Sequence, residues 1–351
     1  MEKKVKKAII CGHFGGNKEF FDGQTIKTKS IYNELVKEYG KENIEKLDTY
    51  GWKKNKWKFL KSCIKETRNS ENIIIMTAHN GVKILLPLFA FINIFYKRKL
   101  FYVVIGAWIG EVLRRHRILR KCLKKYNGIL VETNVLKDEL KQIDSNYNIY
   151  IMNNFKRLTI IGKKEKKIYL QEPYKICVFS RIMEEKGIDD ITNVLDKINE
   201  ERIIYHLDLY GMIDKKYEAH FFDMLKNRNT YMHYRGIISF DQSTDIIKKY
   251  FMLVFPTRFR TEGIPGTIID AFAAGTPVVA ARWNSCNEII EDNYNGLTYE
   301  MGNIDELYDI LIKCSKNPSI INSMNDNCIK SAERYMPDNA MQVLIDLINK
   351  N

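Results

Sequence analysis

The sequence predicts an α/β fold of two doubly wound parallel-sheet domains facing each other across a cleft. Three observations lead there. A chain of 351 residues exceeds what one hydrophobic core usually organises, so two domains of about 150 to 170 residues are expected. Apolar strand-like runs alternate with helical segments along nearly the whole length, the pattern of parallel sheets covered by helices on both faces. That alternation stops once, in a Lys/Glu-rich stretch over 162–167 that leads to Glu172-Pro173, and then restarts.

In the first half the apolar runs 5–11, 44–48, 72–76, 100–105, 129–132 and 149–152 read as strands. Segments 27–39, 55–68, 82–96, 112–125 and 134–142 read as the helices between them. The stretch 162–167 lacks hydrophobic periodicity and suits an exposed linker, which places domain boundaries at 1–166 and 167–334. The second half continues with strands at 175–179, 203–210, 230–234, 251–255 and 277–280. Its helices fall at 187–199, 215–227, 241–249, 266–274 and 305–315. Segment 319–351 reads as helices broken at Pro337, and 335–351 is expected to return to the first domain.

Composition narrows the class. Hydrophobic residues make up 45% and charged residues 28%, a globular rather than disordered balance. The seven cysteines are scattered without a C-x-x-C pair or zinc spacing, so they read as reduced packing residues of a cytoplasmic protein. No signal-peptide pattern opens the sequence. The longest apolar stretch, 82–96, contains Lys83, Pro87 and Asn93 and falls short of the roughly 20 apolar residues that cross a bilayer.

Charge is uneven. Residues 1–165 hold 34 Lys/Arg against 16 Asp/Glu, while 166–351 hold 22 against 27. The positive field of the first half therefore calls for an anionic partner. Trp52, Trp57 and Phe59 are interleaved with Lys53, Lys54, Lys56, Lys58 and Lys61, and the apolar run 82–96 ends in Lys97-Arg98-Lys99. Such segments suit attachment to an anionic membrane surface, so the expected location is cytoplasmic and peripheral to the inner face of the plasma membrane. No nucleic-acid-binding signature accompanies the charge.

Ligands of doubly wound sheets sit at the carboxyl ends of strands, and the informative residues follow strands here. Ser180-Arg181-Ile182-Met183-Glu184-Glu185-Lys186-Gly187 places two cations in one loop, able to hold a diphosphate. After 251–255, Glu262, Gly263, Ile264, Pro265 and Gly266 form a loop that opens a helix whose free amides face a ligand. Glu262 can accept hydrogen bonds from sugar hydroxyls, and Asp270, deeper in that helix, can reach a diol. After the first strand, Gly15 and Gly16 lie in a glycine loop followed by Asp22-Gly23-Gln24-Thr25.

R-x4-K-G followed about seventy-five residues later by E-G-x-P-x4-D-A-x-A-x-G-x-P-V-V resembles the retaining glycosyltransferases of family 4, and the Asp-Gly-Gln-Thr run resembles enzymes that build capsular or exopolysaccharide units. The resemblance implies a GT-B fold of two Rossmann-like domains. It implies an acceptor-side, membrane-facing domain at 1–166 and a nucleotide-sugar-binding domain at 167–334. Arg181, Lys186 and Glu262 become the catalytic residues, with the donor held by Gly15, Gly16, Arg181, Lys186, Gly211, Glu262, Gly263, Ile264, Pro265, Gly266 and Asp270. The family usually has Glu where Asp270 stands.

Many members carry a His after the strand equivalent to 100–105. Here Gly106-Ala107-Trp108 stands there, and His79 with Asn80 are the substitute candidates on the acceptor side. The remaining histidines, His13 among them, default to structural roles. No D-x-D pair occurs, so no metal and no cofactor are expected, the nucleotide sugar being a substrate. The expected reaction moves a hexose or N-acetylhexosamine from a nucleotide sugar of the UDP class onto a lipid-linked or polysaccharide-precursor acceptor, with retention. The alternative is a non-catalytic subunit of the same fold that binds nucleotide or saccharide.

Overall fold

A computed structural model describes residues 5–18, 20, 22–162, 165, 166, 168–239 and 241–350. The chain divides into two compact units, one formed by Met1–Lys156 with Pro337–Asn351 and the other by Arg157–Met336. The boundary expected at 166/167 therefore lies inside the second unit. Segment 337–351 belongs to the first.

Unit 1 holds six parallel strands: β1 (Lys6–Gly12), β2 (Ile44–Asp48), β3 (Ser70–Met76), β4 (Lys99–Val103), β5 (Gly128–Val131) and β6 (Ile149–Ile151). Their order is β2-β1-β3-β4-β5-β6, with the direction of travel reversing between β1 and β3. Because side chains alternate across a strand, the same strands serve two cores. Ile9, Cys11, Ile73, Ile75, Leu100 and Tyr102 pack with Phe59, Phe89 and Leu136 on one face. Ala8, Ile10, Ile74, Phe101 and Val103 pack with Ile31, Leu344 and Ile348 on the other. Burial on both faces explains why these strands read as unbroken apolar runs.

Unit 2 repeats the plan with β7 (Tyr174–Phe179), β8 (Tyr205–Tyr210), β9 (Met232–Tyr234), β10 (Met252–Phe255), β11 (Val278–Arg282) and β12 (Gly296–Glu300). Their order is β12-β11-β10-β7-β8-β9, so the switch falls between β7 and β10. Ile176, Val178, Leu207 and Leu209 line one core, and Cys177, Leu253 and Phe255 the other.

Four expectations need correction. β12 is an additional strand, reached from β11 through a single 3-10 turn, Cys286–Glu288, rather than a crossover helix. The helix expected over 112–125 is two, Ile109–Arg115 and Arg117–Leu123, parted where His116 is extended. The first helix begins at Gly23, because Asp22 caps it by accepting from the Thr25 amide at 3.0 Å. The stretch 162–167 is not simply exposed, since Lys166 is only 7% exposed. Its Nζ donates to the Tyr250 carbonyl and to Thr276 Oγ1, each at 2.8 Å, and burial lowers its pKa to about 8. Residues 163, 164 and 167 lie outside the described residues.

All seven cysteines are free, and burial pushes the Cys63, Cys286 and Cys314 thiols up to about 12, as suits packing residues. Among the described residues no helix is long and apolar enough to cross a membrane.

Candidate active site

Three loops of unit 2 meet at the carboxyl edge of its sheet, beside the β7/β10 switch. Two glycines permit the meeting. A Cβ on Gly187 would lie 1.8 Å from the Pro256 carbonyl oxygen, and one on Gly211 1.8 Å from the Ser180 carbonyl oxygen. Both residues hold positive φ, +68° and +137°, which side-chain-bearing residues rarely adopt. The Arg258 amide adds a bond to the Glu185 carbonyl at 2.9 Å, and its guanidinium grips buried Asp190 through both carboxylate oxygens. The loops after β7 and β10 are thus tied by backbone and side chain.

In that junction the 3-10 turn Glu184–Lys186 presents the Lys186 ammonium to Glu262, with which it forms an ion pair. Thr257 Oγ1 donates to the same carboxylate oxygen of Glu262 at 2.9 Å. The ammonium also stands 4.9 Å from the centre of the Phe259 ring and 5.5 Å from that of Phe255, so aromatic faces flank the cation. Each member of the pair is 17% exposed, shielded but open to an incoming group. Arg181, by contrast, is exposed and makes no ion pair among the described residues.

Beyond Glu262, Trp283 Nε1 donates to the Gly263 carbonyl at 3.3 Å, and Ile264 is buried. Pro265 precedes the helix Gly266–Ala273 without a side-chain cap, so the helix opens with unspent amides. A Cβ on Gly266 would meet nothing within 4 Å, which leaves room for a ligand against the backbone. Asp270 sits inside this helix at 5% exposure. Gly211 donates its amide to the Gly236 carbonyl at 3.0 Å; in the loop 235–240, where a base is expected, residue 240 lies outside the described residues.

In unit 1, Gly15 and Gly16 lie after β1, held by Asp48 at the end of β2. Its carboxylate accepts from the amides of Phe14 at 2.9 Å, Gly16 at 2.8 Å and Tyr50 at 2.8 Å. Lys27, buried on the first helix, pairs with buried Glu132 at the end of β5. His79 begins the helix His79–Tyr96, its ring 5.2 Å from that of Trp108. The Asn80 side chain lies outside the described residues.

Thr257, Phe255, Phe259 and Asp48 had no sequence signature. Each earns its place through a partner distant in the chain or through ring orientation, which motif spacing does not encode.

Residues 173–317 match the family model described as glycosyl transferases group 1. An uncharacterized glycosyltransferase of Methanocaldococcus jannaschii is 26% identical over 215 residues, covering 61% of this chain and 54% of that one. The chain thus spans about half the length of that relative. One of Haemophilus influenzae is 23% identical over 331 residues, covering 92% and 85%. Among solved structures, Anabaena HepE in complex with UDP superposes with a TM-score of 0.76 at 12% identity, covering 98% of this chain and all of that one. The segment matched by the group 1 model lies in the second unit, and the two six-stranded parallel sheets have the GT-B architecture.

Proposed function

We propose that the chain is a retaining glycosyltransferase that moves a sugar from a UDP-sugar, without a metal ion, onto a lipid-linked or polysaccharide-precursor acceptor at the cytoplasmic face of the membrane. The observation that carries this reading is the meeting of Lys186, Glu262 and the uncapped helix Gly266–Ala273 at the switch point of sheet 2. Leaving-group charge would fall on Lys186, Arg181 and helix amides, fixed donors of the kind that often dominates catalysis. Glu262 would take hydroxyls of the transferred sugar, Gly263, Ile264, Pro265 and Gly266 would bring backbone against the donor, and Asp270 would face the ribose. UDP is present in the HepE complex, which supports the choice of base.

Purified protein incubated with UDP-sugars and an acceptor of polyprenyl diphosphate bearing one N-acetylhexosamine should yield an α-linked product from an α-linked donor, at a rate unchanged by EDTA. Inverted product, or a rate abolished by EDTA and restored by a divalent cation, would overturn the mechanism. UDP binding without transfer to any lipid-linked acceptor would favour the non-catalytic reading.

The membrane assignment rests on unit 1. The helix His79–Tyr96 leaves Phe91, Ile94 and Phe95 exposed, Phe95 at 71%. It packs between the helix Lys56–Arg68, with Trp57 79% exposed, and the helix Arg117–Leu123, with Ile118 exposed. The same helices and their ends carry exposed Lys56, Lys58, Lys61, Lys97, Arg117 and Lys121, a combination that suits a helix at an anionic interface. Co-sedimentation with phosphatidylglycerol vesicles is expected at low salt and should weaken in Phe91→Ser/Phe95→Ser. Equal pelleting of the variant would remove this face from the contact.

A further inference from the structure

The loop after β1 carries a histidine whose tautomer is set by its surroundings. His13 Nδ1 lies 2.7 Å from Thr25 Oγ1, and Thr25 Oγ1 lies 2.8 Å from Asp22 Oδ2. An ionised carboxylate only accepts, so the single hydroxyl proton of Thr25 goes to Asp22. Thr25 must then accept from His13, so in the neutral imidazole the proton sits on Nδ1 and the lone pair on Nε2. Nε2 makes no hydrogen bond among the described residues, and the ring is only half-buried.

Two further rings stand beside it. Phe20 lies 5.0 Å from the imidazole and Tyr50 5.8 Å, each edge to face, and Phe20 and Tyr50 are 5.6 Å apart. Tyr50 is exposed and Phe20 half-buried. An open aromatic trio around one oriented acceptor atom offers both things a sugar presents, an apolar C–H face and a hydroxyl donor. The backbone beneath is fixed, since Asp48 holds the amides of Phe14, Gly16 and Tyr50. Asp22 spends one oxygen on the Thr25 amide and the other on its hydroxyl, so helix cap and relay are a single device.

We propose that His13, Phe20 and Tyr50 form a saccharide subsite of the acceptor, in which Nε2 of His13 accepts a hydrogen bond from a sugar hydroxyl and Thr25 is a positioning residue. The proposal rests on the transferase reading and assigns it the chemistry of its acceptor side.

The test uses the full chain, with a short polyprenyl diphosphate bearing one N-acetylhexosamine as probe. His13→Asn keeps an N–H in the place of Nδ1 and lacks Nε2. His13→Gln places an amide oxygen near Nε2. The expected result is probe binding about tenfold weaker in His13→Asn and within about threefold of wild type in His13→Gln. A purely structural histidine predicts the reverse order, because Asn preserves the bond to Thr25.

Nitrogen NMR of the ring should show an Nδ1-protonated tautomer that is lost in Thr25→Val, and a shift of Nε2 when the probe is added. Binding of the probe to His13→Asn at wild-type strength, an Nε2-protonated ring, or failure of the wild type to bind the probe would each overturn the proposal. Thermal stabilisation by UDP, measured on the same samples, should be equal in all variants. Its absence from the wild type would sink the donor reading instead, whatever the His13 variants do with the probe.

Discussion

Replacing Lys186 with alanine is expected to weaken UDP binding by about 10- to 100-fold, the worth of one charge-assisted hydrogen bond to phosphate. It should lower turnover by about 10²–10³ beyond that, since an oriented cation counts most where charge develops. Glu262→Gln should behave oppositely toward the nucleotide. The carboxylate of Glu262 is paired with the ammonium that, on the proposed reading, a diphosphate would take. On the proposed reading, donor binding would exchange a carboxylate for a phosphate and free Glu262 for the sugar. Removing its charge should leave UDP affinity intact or raise it while transfer is lost.

Calorimetric titration with UDP alongside a steady-state assay separates the two. If both variants lose UDP to the same extent, the pair acts as one binding element and the assignment of Glu262 to the sugar falls.

A second large effect is expected from Gly211→Ala. The new methyl would overlap the Ser180 carbonyl, and φ of +137° is strained for alanine, together a cost of about 2–5 kcal/mol. Thermal unfolding of unit 2 should fall by roughly 5–15 °C, and any folded remainder should bind UDP poorly because Arg181 follows the displaced Ser180. Gly266→Ala is the contrasting case. With open space around that position, stability should hold while UDP binding weakens. A Gly211→Ala protein of wild-type stability would show that the loops need not approach as closely as they do here.

These two glycines illustrate what the sequence could and could not disclose. Both were read as donor contacts, and spacing alone gives them the same status. One is required by the approach of two strand ends, whereas the other leaves a void, and only coordinates distinguish a residue that is small for its neighbours from one that is small for a guest. The strand pattern was legible because burial on both faces of a parallel sheet leaves continuous apolar runs such as Ile73-Ile74-Ile75. β12 escaped because no helix precedes it, so the strand-helix alternation that signals its neighbours is missing there. Lys166 escaped because its partners are carbonyl and hydroxyl oxygens from residues 250 and 276, which no charge pattern records. The direction of the His13 ring is not legible in the sequence, because an imidazole acquires one only from what holds its other nitrogen.

The assignment of 337–351 to unit 1 bears on the order in which the protein is made. Met341, Leu344, Leu347 and Ile348 cover the face of sheet 1 that carries Ala8, Ile10 and Ile74. During translation all six strands of that sheet are synthesised before any of unit 2, yet the lid for one of its faces arrives after the whole of unit 2. The nascent first unit must therefore wait, with apolar surface uncovered, for some 180 intervening residues (157–336) to be added. Unit 2, contiguous in sequence, has no such delay and can close its cores as soon as it emerges.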